Sequence, residues 1–308
     1  MNAILLDAGA PATCQPLTCS RLLGAIPVAN LPLAEQQRRR LTEAGLTPVA
    51  ADAVAGADPV FFLAGDAWVD LDTLRAFAAH PAPAVLRSAD GKILAWLGSA
   101  SRPPAGATEM AAAAKLNFVI RFPWDFLRVN ELLVGAIREH RILGTVSPGV
   151  TIEGVLELGE GSRLLPGVYL EGNVVIGRNC KIGPNCYLRG STAIGDGCHI
   201  GQAVEVKNSI LLPGAAIGHL SYCGDSIVGA GANFGAGTIT ANFRHDGKNH
   251  RSLVDGVLVD TGRRKLGAII GDGVHTGIHT SIYPGRKLWP QTSTLPGTVV
   301  QTDLLAAN

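Results

Sequence analysis

Residues 164–206 read LLPGVYLEGNVVIGRNCKIGPNCYLRGSTAIGDGCHIGQAVEV, with an aliphatic side chain at every sixth position: Leu164, Leu170, Ile176, Ile182, Leu188, Ile194, Ile200 and Val206. The register reaches back without a miss through Leu158 and Ile152 to Val146, and it returns downstream as Ile270, Thr276, Ile282 and Leu288. Glycine often follows the aliphatic (Gly159, Gly177, Gly183, Gly195, Gly201), and four positions after it stand Val168, Val174, Cys180, Cys186, Thr192 and Cys198. A short fixed period means a solenoid, in which each coil buries its face against its neighbours alone. Three hexads make a triangular coil, so residues 18 apart should stack at the strand spacing of about 4.8 Å. Two inward ladders follow, and they assign Cys180, Cys186 and Cys198 to packing.

Composition bounds the rest. The 308 residues suffice for two domains. A formal charge of +1 with 17% charged residues provides no general basic field for nucleic acid or an anionic membrane, so any anion site must be local. Aromatics at 5% beside 38 glycines point to repetitive, tightly turning backbone. The opening MNAILLDAG is too short an apolar run for a secretory signal, and no run of about 18 apolar residues follows, which predicts a cytoplasmic protein. Six cysteines without a CxxC pair argue for reduced structural thiols.

The front of the chain alternates strand and helix: AILLDAG, LAEQQRRRLTEAG, PVFFLAGDAWV, LDTLRAFAAH. This order predicts a short α/β domain with a parallel sheet over residues 1–103. Residues 104–143 form a connector whose Phe126, Val129, Leu133, Ala136, Ile137 and His140 have helical spacing, with Pro123 near the start. The β-helix domain is expected over 144–308.

The stretch LDAGAPATCQPLTCSRLLGAIPVAN, from Leu6 to Asn30, resembles the opening of the sugar-nucleotidylyltransferase fold. In that family a glycine-rich loop with an arginine cradles a nucleoside triphosphate and a following lysine meets the sugar phosphate. Here Pro11, Thr13 and Leu23 stand at the second glycine, the arginine and the lysine. Proline removes an N–H donor and leucine holds no phosphate, so the resemblance implies a degenerate nucleotidyltransferase-like domain. Asp66 matches the family's first metal-binding aspartate and reads as a remnant.

The hexads resemble those of the left-handed β-helix acyltransferases; the left hand comes from that resemblance, since the general rule for parallel crossovers predicts the right. Within residues 204–243, VEVKNSILLPGAAIGHLSYCGDSIVGAGANFGAGTITANF resembles the acetyltransferase domain of bifunctional sugar-1-phosphate nucleotidylyltransferase/N-acetyltransferases, archaeal-like in its PWD-plus-helix approach. Arg189 and Lys207 also stand out by themselves. Each directly follows a ladder residue, they are 18 apart, and stacked cations repel unless an anion neutralises both. Glu205 and Glu171 are the alternative counter-ions.

The resemblance implies sugar-phosphate binding by Arg189 and Lys207, with Tyr222, Asn233 and Glu205 also on the substrate. It implies His219 as general base, in GHLSY, where the count of six slips by a residue. Asn242 would orient the amine or acetyl group, although Phe243 departs from the tyrosine usual after it. Ala236, in the GAGT turn, is the candidate N–H donor to the thioester oxygen, with a plain coil corner as the competing reading. Arg263, Arg264 and Lys265, with Arg286 and Lys287 a coil later, are candidates for the phosphates of coenzyme A. His275 and His279 have no third histidine at coil spacing, so no metal is expected.

The expected activity is acetyl transfer from acetyl-CoA, as co-substrate, to an amino-sugar 1-phosphate within the UDP-N-acetylglucosamine class of pathways. The resemblance implies a homotrimer with sites between subunits. A regulatory or scaffold relic and a nucleotidylyltransferase are the alternatives.

Overall fold

A computed structural model describes residues 1–53 and 59–305. The chain divides into two compact units, one formed by Met1–Pro11, Arg21–Ile26 and Leu31–Arg121, the other by Ala12–Ser20, Pro27–Asn30 and Phe122–Asn308.

The first unit is built on a six-stranded sheet ordered Thr47–Pro48, Asn2–Leu5, Val60–Leu63, Ile93–Gly98, Ala84–Arg87, Thr108–Ala111. The first three strands are parallel, but Ile93–Gly98 runs antiparallel to both its neighbours, so the sheet is mixed and not the parallel one expected. The reason is chain length. Only a turn at Gly91 (φ +78°) separates Ala84–Arg87 from Ile93–Gly98, too little for a parallel crossover. Helix α1 (Leu33–Glu43) buries Leu33 and Leu41, and α2 (Leu71–Ala78) buries Leu74 and Phe77. The Asp70 side chain caps α2 by accepting from the backbone N–H groups of Asp72 and Thr73, both at 3.1 Å.

In the second unit, α3 spans Pro123–Gly135, with proline at its start and the Phe122 N–H donating to Asp125. Phe126, Val129 and Val134 are fully buried. The helical spacing expected beyond Gly135 does not extend the helix: Ala136, Ile137 and His140 lie outside it, and the first solenoid strand begins at Arg141. Glycine is a poor helix interior residue and ends the run.

From there the chain winds a parallel β-solenoid, its three faces holding eight, seven and eight strands among the described residues. Leu170 pairs with Leu188 and Leu188 with Val206, confirming the coil of 18 residues. Both predicted ladders point inward: Leu164, Leu170, Ile182, Leu188 and Ile200 are at most 1% exposed, and Cys180, Cys186 and Cys198 at most 2%. Burial holds the Cys186 and Cys198 thiols protonated, pushing each up to about 12.

The coil count then changes. Ile194 pairs with Leu211, and Lys207 with Gly224, in coils one residue shorter. The deleted residue lies at the corner after Lys207 and again after Gly224, not within GHLSY, where Ile217 to Cys223 is a full hexad. That corner joins the third face to the first. It is a column of left-handed residues: Gly172, Gly190, Asn208 and Asp225, with φ of +77°, +68°, +46° and +49°. Asn and Asp are the side-chain-bearing residues that tolerate this region best. At the same corner one coil on, the chain leaves the solenoid after Asn242, forms an antiparallel pair from Arg251–Val254 and Val257–Asp260, and rejoins so that Ile227 pairs with Ile269.

Candidate active site

The third face carries Tyr169–Glu171, Tyr187–Arg189, Glu205–Lys207, Tyr222–Gly224 and Ile239–Thr240. On each of the three-residue strands the middle residue points inward, so its neighbours project outward in two columns. Arg189 and Lys207 are in register, as their spacing predicted. Each is also balanced by acid. Arg189 lies 3.4 Å from Glu205 and 3.7 Å from Glu171, with its guanidinium 5.1 Å from the centre of the Tyr187 ring. Lys207 donates to Asp225 at 2.9 Å, and this carboxylate is only 2% exposed. Both counter-ions weighed from the sequence for the pair therefore sit on the arginine, and the lysine has a further one, Asp225.

Asp225 joins several candidates. Its Oδ2 accepts from Lys207 Nζ and, at 2.6 Å, from Asn242 Nδ2, while its Oδ1 accepts from Asn208 Nδ2 at 3.0 Å. Asn242 Nδ2 also donates to the Tyr222 hydroxyl at 2.8 Å. Burial, then the charges of Asp225 and Glu205, push the Tyr222 phenol up to about 12, so it stays protonated and able to donate. The Asn242 carbonyl accepts from Leu266 N–H at 3.1 Å and from the ring of buried His250 at 2.9 Å. The segment leaving the solenoid thus folds back to hold Asn242. It is tied in turn to α3, where Arg263 donates to Glu131 at 2.5 Å and Asn208 Nδ2 donates to Glu131 at 2.7 Å.

His219 ends the strand Ala216–His219 on the second face, at the corner that leads into Tyr222. Its imidazole is exposed and makes no hydrogen bond among the described residues. Ala236 occupies the same corner one coil on: Gly237 N–H donates to His219 O, and the Ala236 N–H meets no acceptor among the described residues. Asn233 stands exposed on the second face, in register with Ala216 and His275. Within one chain, then, Arg189, Lys207, Glu205, Tyr222 and Asn242 share the third face and its rim, His219 and Ala236 share the preceding corner, and Asn233 lies around that corner.

The coenzyme A candidates separate. Arg264 and Lys265 are exposed, but Arg263 is committed to Glu131. Lys287 is 5% exposed; it donates to the Leu253 carbonyl at 2.5 Å and faces Asp303 at 3.8 Å. Desolvation lowers its pKa, with Asp303 opposing. Arg286 lines a cleft of about 640 Å³ with Phe243, Arg244, His250, Arg251 and Tyr283. Among the described residues no group of three or more His, Cys, Asp or Glu side chains is placed to hold a metal ion. No helix among them is long and apolar enough to cross a membrane.

Sequence reading missed Asp225, Asn208, Glu131 and His250. A signal existed for the first two: once the one-residue deletion after Lys207 is counted, Asp225 falls opposite Asn208, next to the lysine. Nothing local marks Glu131 or His250.

Residues 170–288 match the model of the GMPPB C-terminal domain family. A bifunctional sugar-1-phosphate nucleotidylyltransferase/acetyltransferase of Sulfurisphaera tokodaii is 42% identical over 182 residues, covering 59% of this chain and 45% of its own length. The bifunctional protein GlmU of Methanococcus maripaludis strain C7 is 56% identical over 169 residues, 55% of this chain and 41% of its own. Over its C-terminal region, the chain is a homologue of these bifunctional proteins. It spans somewhat under half the length of the relatives it matches. Among solved structures, a UDP-N-acetylglucosamine acyltransferase is 14% identical over 51% of this chain and 66% of its own, with a TM-score of 0.23, an overlap too loose to bear on function.

Proposed function

We propose that this homologue of the bifunctional enzymes transfers an acetyl group from acetyl-CoA to the amine of an amino-sugar 1-phosphate. The observation carrying this reading is the in-register pair Arg189 and Lys207 on the face that also bears Tyr222 and Asn242, with His219 at its edge. A phosphate would exchange with Glu171, Glu205 and Asp225 as partner of the two cations, the arginine by a bidentate contact and the lysine as a point charge. The amine nitrogen attacks the thioester carbonyl and forms the amide C–N bond, His219 takes the proton that nitrogen loses, and the C–S bond breaks to release the coenzyme A thiolate, which takes up that proton to leave as the thiol. The Ala236 N–H, one coil from His219, donates to the carbonyl oxygen as it gains charge. Asn233 and a second chain complete the pocket. Of the basic residues after Phe243, the exposed Arg264 and Lys265 and the cleft arginine Arg286 are the better candidates for coenzyme A phosphates; Arg263 and Lys287 serve the fold.

The engaged state of both cations favours a second reading, a non-catalytic module whose charges only brace the face. Thiol release from acetyl-CoA separates the two. Turnover with glucosamine 1-phosphate or galactosamine 1-phosphate, and none with sugars lacking the amine, is the expected outcome. No turnover across a panel of amino-sugar phosphates overturns the enzyme reading.

We further propose that the chain does not transfer nucleotides. Pro11, at the second glycine, brings no N–H to the triphosphate loop, and the stretch that follows it, Ala12–Ser20 with Thr13 at the arginine position, belongs to the compact unit of the β-helix. Cys14, Leu17 and Thr18 are buried, Ser20 donates to Asp272 at 2.5 Å, and Leu23, at the lysine position, is fully buried. Neither Thr13 nor a buried Leu23 can meet a phosphate with positive charge.

A further inference from the structure

Resting on the acetyltransferase reading, we infer that Asp225 is the positioning residue of this site: it fixes the amide of Asn242 so that only its carbonyl oxygen faces a ligand. Both Nδ2 hydrogens of Asn242 are consumed, one by Asp225 Oδ2 at 2.6 Å and one by the Tyr222 hydroxyl at 2.8 Å. Turning the amide over would set its oxygen against a buried carboxylate, so its direction is determined by chemistry. What remains is Oδ1, an acceptor. Lys207, held by the same carboxylate oxygen, is a donor alone. The pair therefore selects a ligand with an anionic group beside an N–H donor, which describes an amine-bearing phosphate. An accepted N–H also holds the nitrogen in one orientation, with its lone pair directed away from Asn242.

The direction of the lock is set one step further out. Asn208 Nδ2 donates both to Glu131 on α3 and to Asp225 Oδ1, so Asn208 cannot turn over without setting its oxygen against Glu131. Asp225→Asn accordingly has no good solution. Its new amide group faces either Asn208 Nδ2 or the donors of Lys207 and Asn242. Asn208→Gly removes the constraint, because the left-handed corner (φ +46°) suits glycine, as at Gly172 and Gly190, and the amide of an asparagine at 225 can then turn toward the place Asn208 Nδ2 vacates, leaving its oxygen to Lys207 and Asn242. The Glu131 Oε1 that Asn208 leaves still serves Arg263. The acceptor facing Asn242 returns.

The test is steady-state thiol release by the full chain, with calorimetric binding of glucosamine 1-phosphate. Asp225→Asn should lower kcat by about 10- to 100-fold, the scale of a misplaced reacting group. The KM for the sugar phosphate should stay level or fall, since Lys207 loses its competing anion, and that for acetyl-CoA should not move. The double variant Asn208→Gly, Asp225→Asn should recover most of the lost rate, and it carries the test if the single variant does not fold. Wild-type kcat in Asp225→Asn, or a folded double variant with the rate still lost, overturns the inference and leaves the function standing. A wild-type chain that neither binds nor acetylates any amino-sugar phosphate overturns the function, and the inference with it.

Discussion

At the scale of residues, His219 and Lys207 should fail in different ways when removed. His219 is exposed and its side chain holds no hydrogen bond among the described residues, so His219→Ala should leave thermal unfolding unchanged while lowering kcat by roughly 10²- to 10⁴-fold. Full activity in that variant would remove the proposed base. Lys207→Ala is a different experiment from the one its sequence position suggests. It weakens capture of the phosphate, by roughly 1.5–3 kcal/mol if the contact is a charge-assisted hydrogen bond. It also strands Asp225, 2% exposed, without its cation, and removing one partner of a buried pair costs about 3–5 kcal/mol. Calorimetry should therefore show lower stability in Lys207→Ala, with a raised KM for the sugar phosphate and little change for acetyl-CoA.

The element that closes over this site is the 24-residue excursion after Asn242, and its hold depends on His250. The ring nitrogen of His250 donates to the Asn242 carbonyl, and its backbone N–H and carbonyl pair with Arg263 and Thr261. Desolvation lowers the His250 pKa below its ordinary 6.5, with the backbone contact to Asn242 opposing. A depressed folded-state value means that the unfolded chain binds the proton more readily. Stability from the neutral ring is thus fully present above about pH 6.5 and is lost as pH falls through the folded-state value. His250→Gln keeps a donor toward Asn242 but does not titrate. The drop in Tm between pH 7.5 and 5.5 should be smaller in that variant than in wild type. An equal drop in both would place the acid sensitivity elsewhere, for example at His199, which burial also lowers.

At the scale of the whole molecule, the last coils leave apolar side chains uncovered. Leu220, Ile278 and Leu295, at 64%, 49% and 78% exposure, lie at the corner that bears His219, and Ile239 and Val299 lie on the adjoining third face. Apolar groups gathered beside a candidate site are the kind of surface a second copy covers. Light scattering should give about three chain masses, with Leu220→Asp shifting the chain toward monomer and abolishing thiol release together. A fully active monomer would contradict a shared site. At this scale too belongs the nucleotidyl reaction: no release of pyrophosphate is expected with any nucleoside triphosphate, sugar phosphate and magnesium, and activity lost in Asp66→Ala would show the front loop to be competent after all.

The hexad alone determined the solenoid, because a period of six with one inward aliphatic leaves few other ways to bury that face. It also stacked Arg189 on Lys207, since 18-residue spacing is translation along the axis, whereas Tyr222 and Asn242 were named by the resemblance of their motifs to the acetyltransferase domain. Tertiary structure decided what local patterns do not encode. Where a coil loses a residue, register changes for everything after it, and this is how Asp225 comes to lie against Lys207 and Asn208. Glu131 and Arg263, 132 residues apart, meet only because a helix and an excursion pack on one corner. The front sheet became mixed because a turn replaced a crossover. Lys287, a surface cation by its sequence, was drawn inward by the Leu253 carbonyl and Asp303. In each case the deciding partner lies far along the chain, and composition, period and motif carry no information about it.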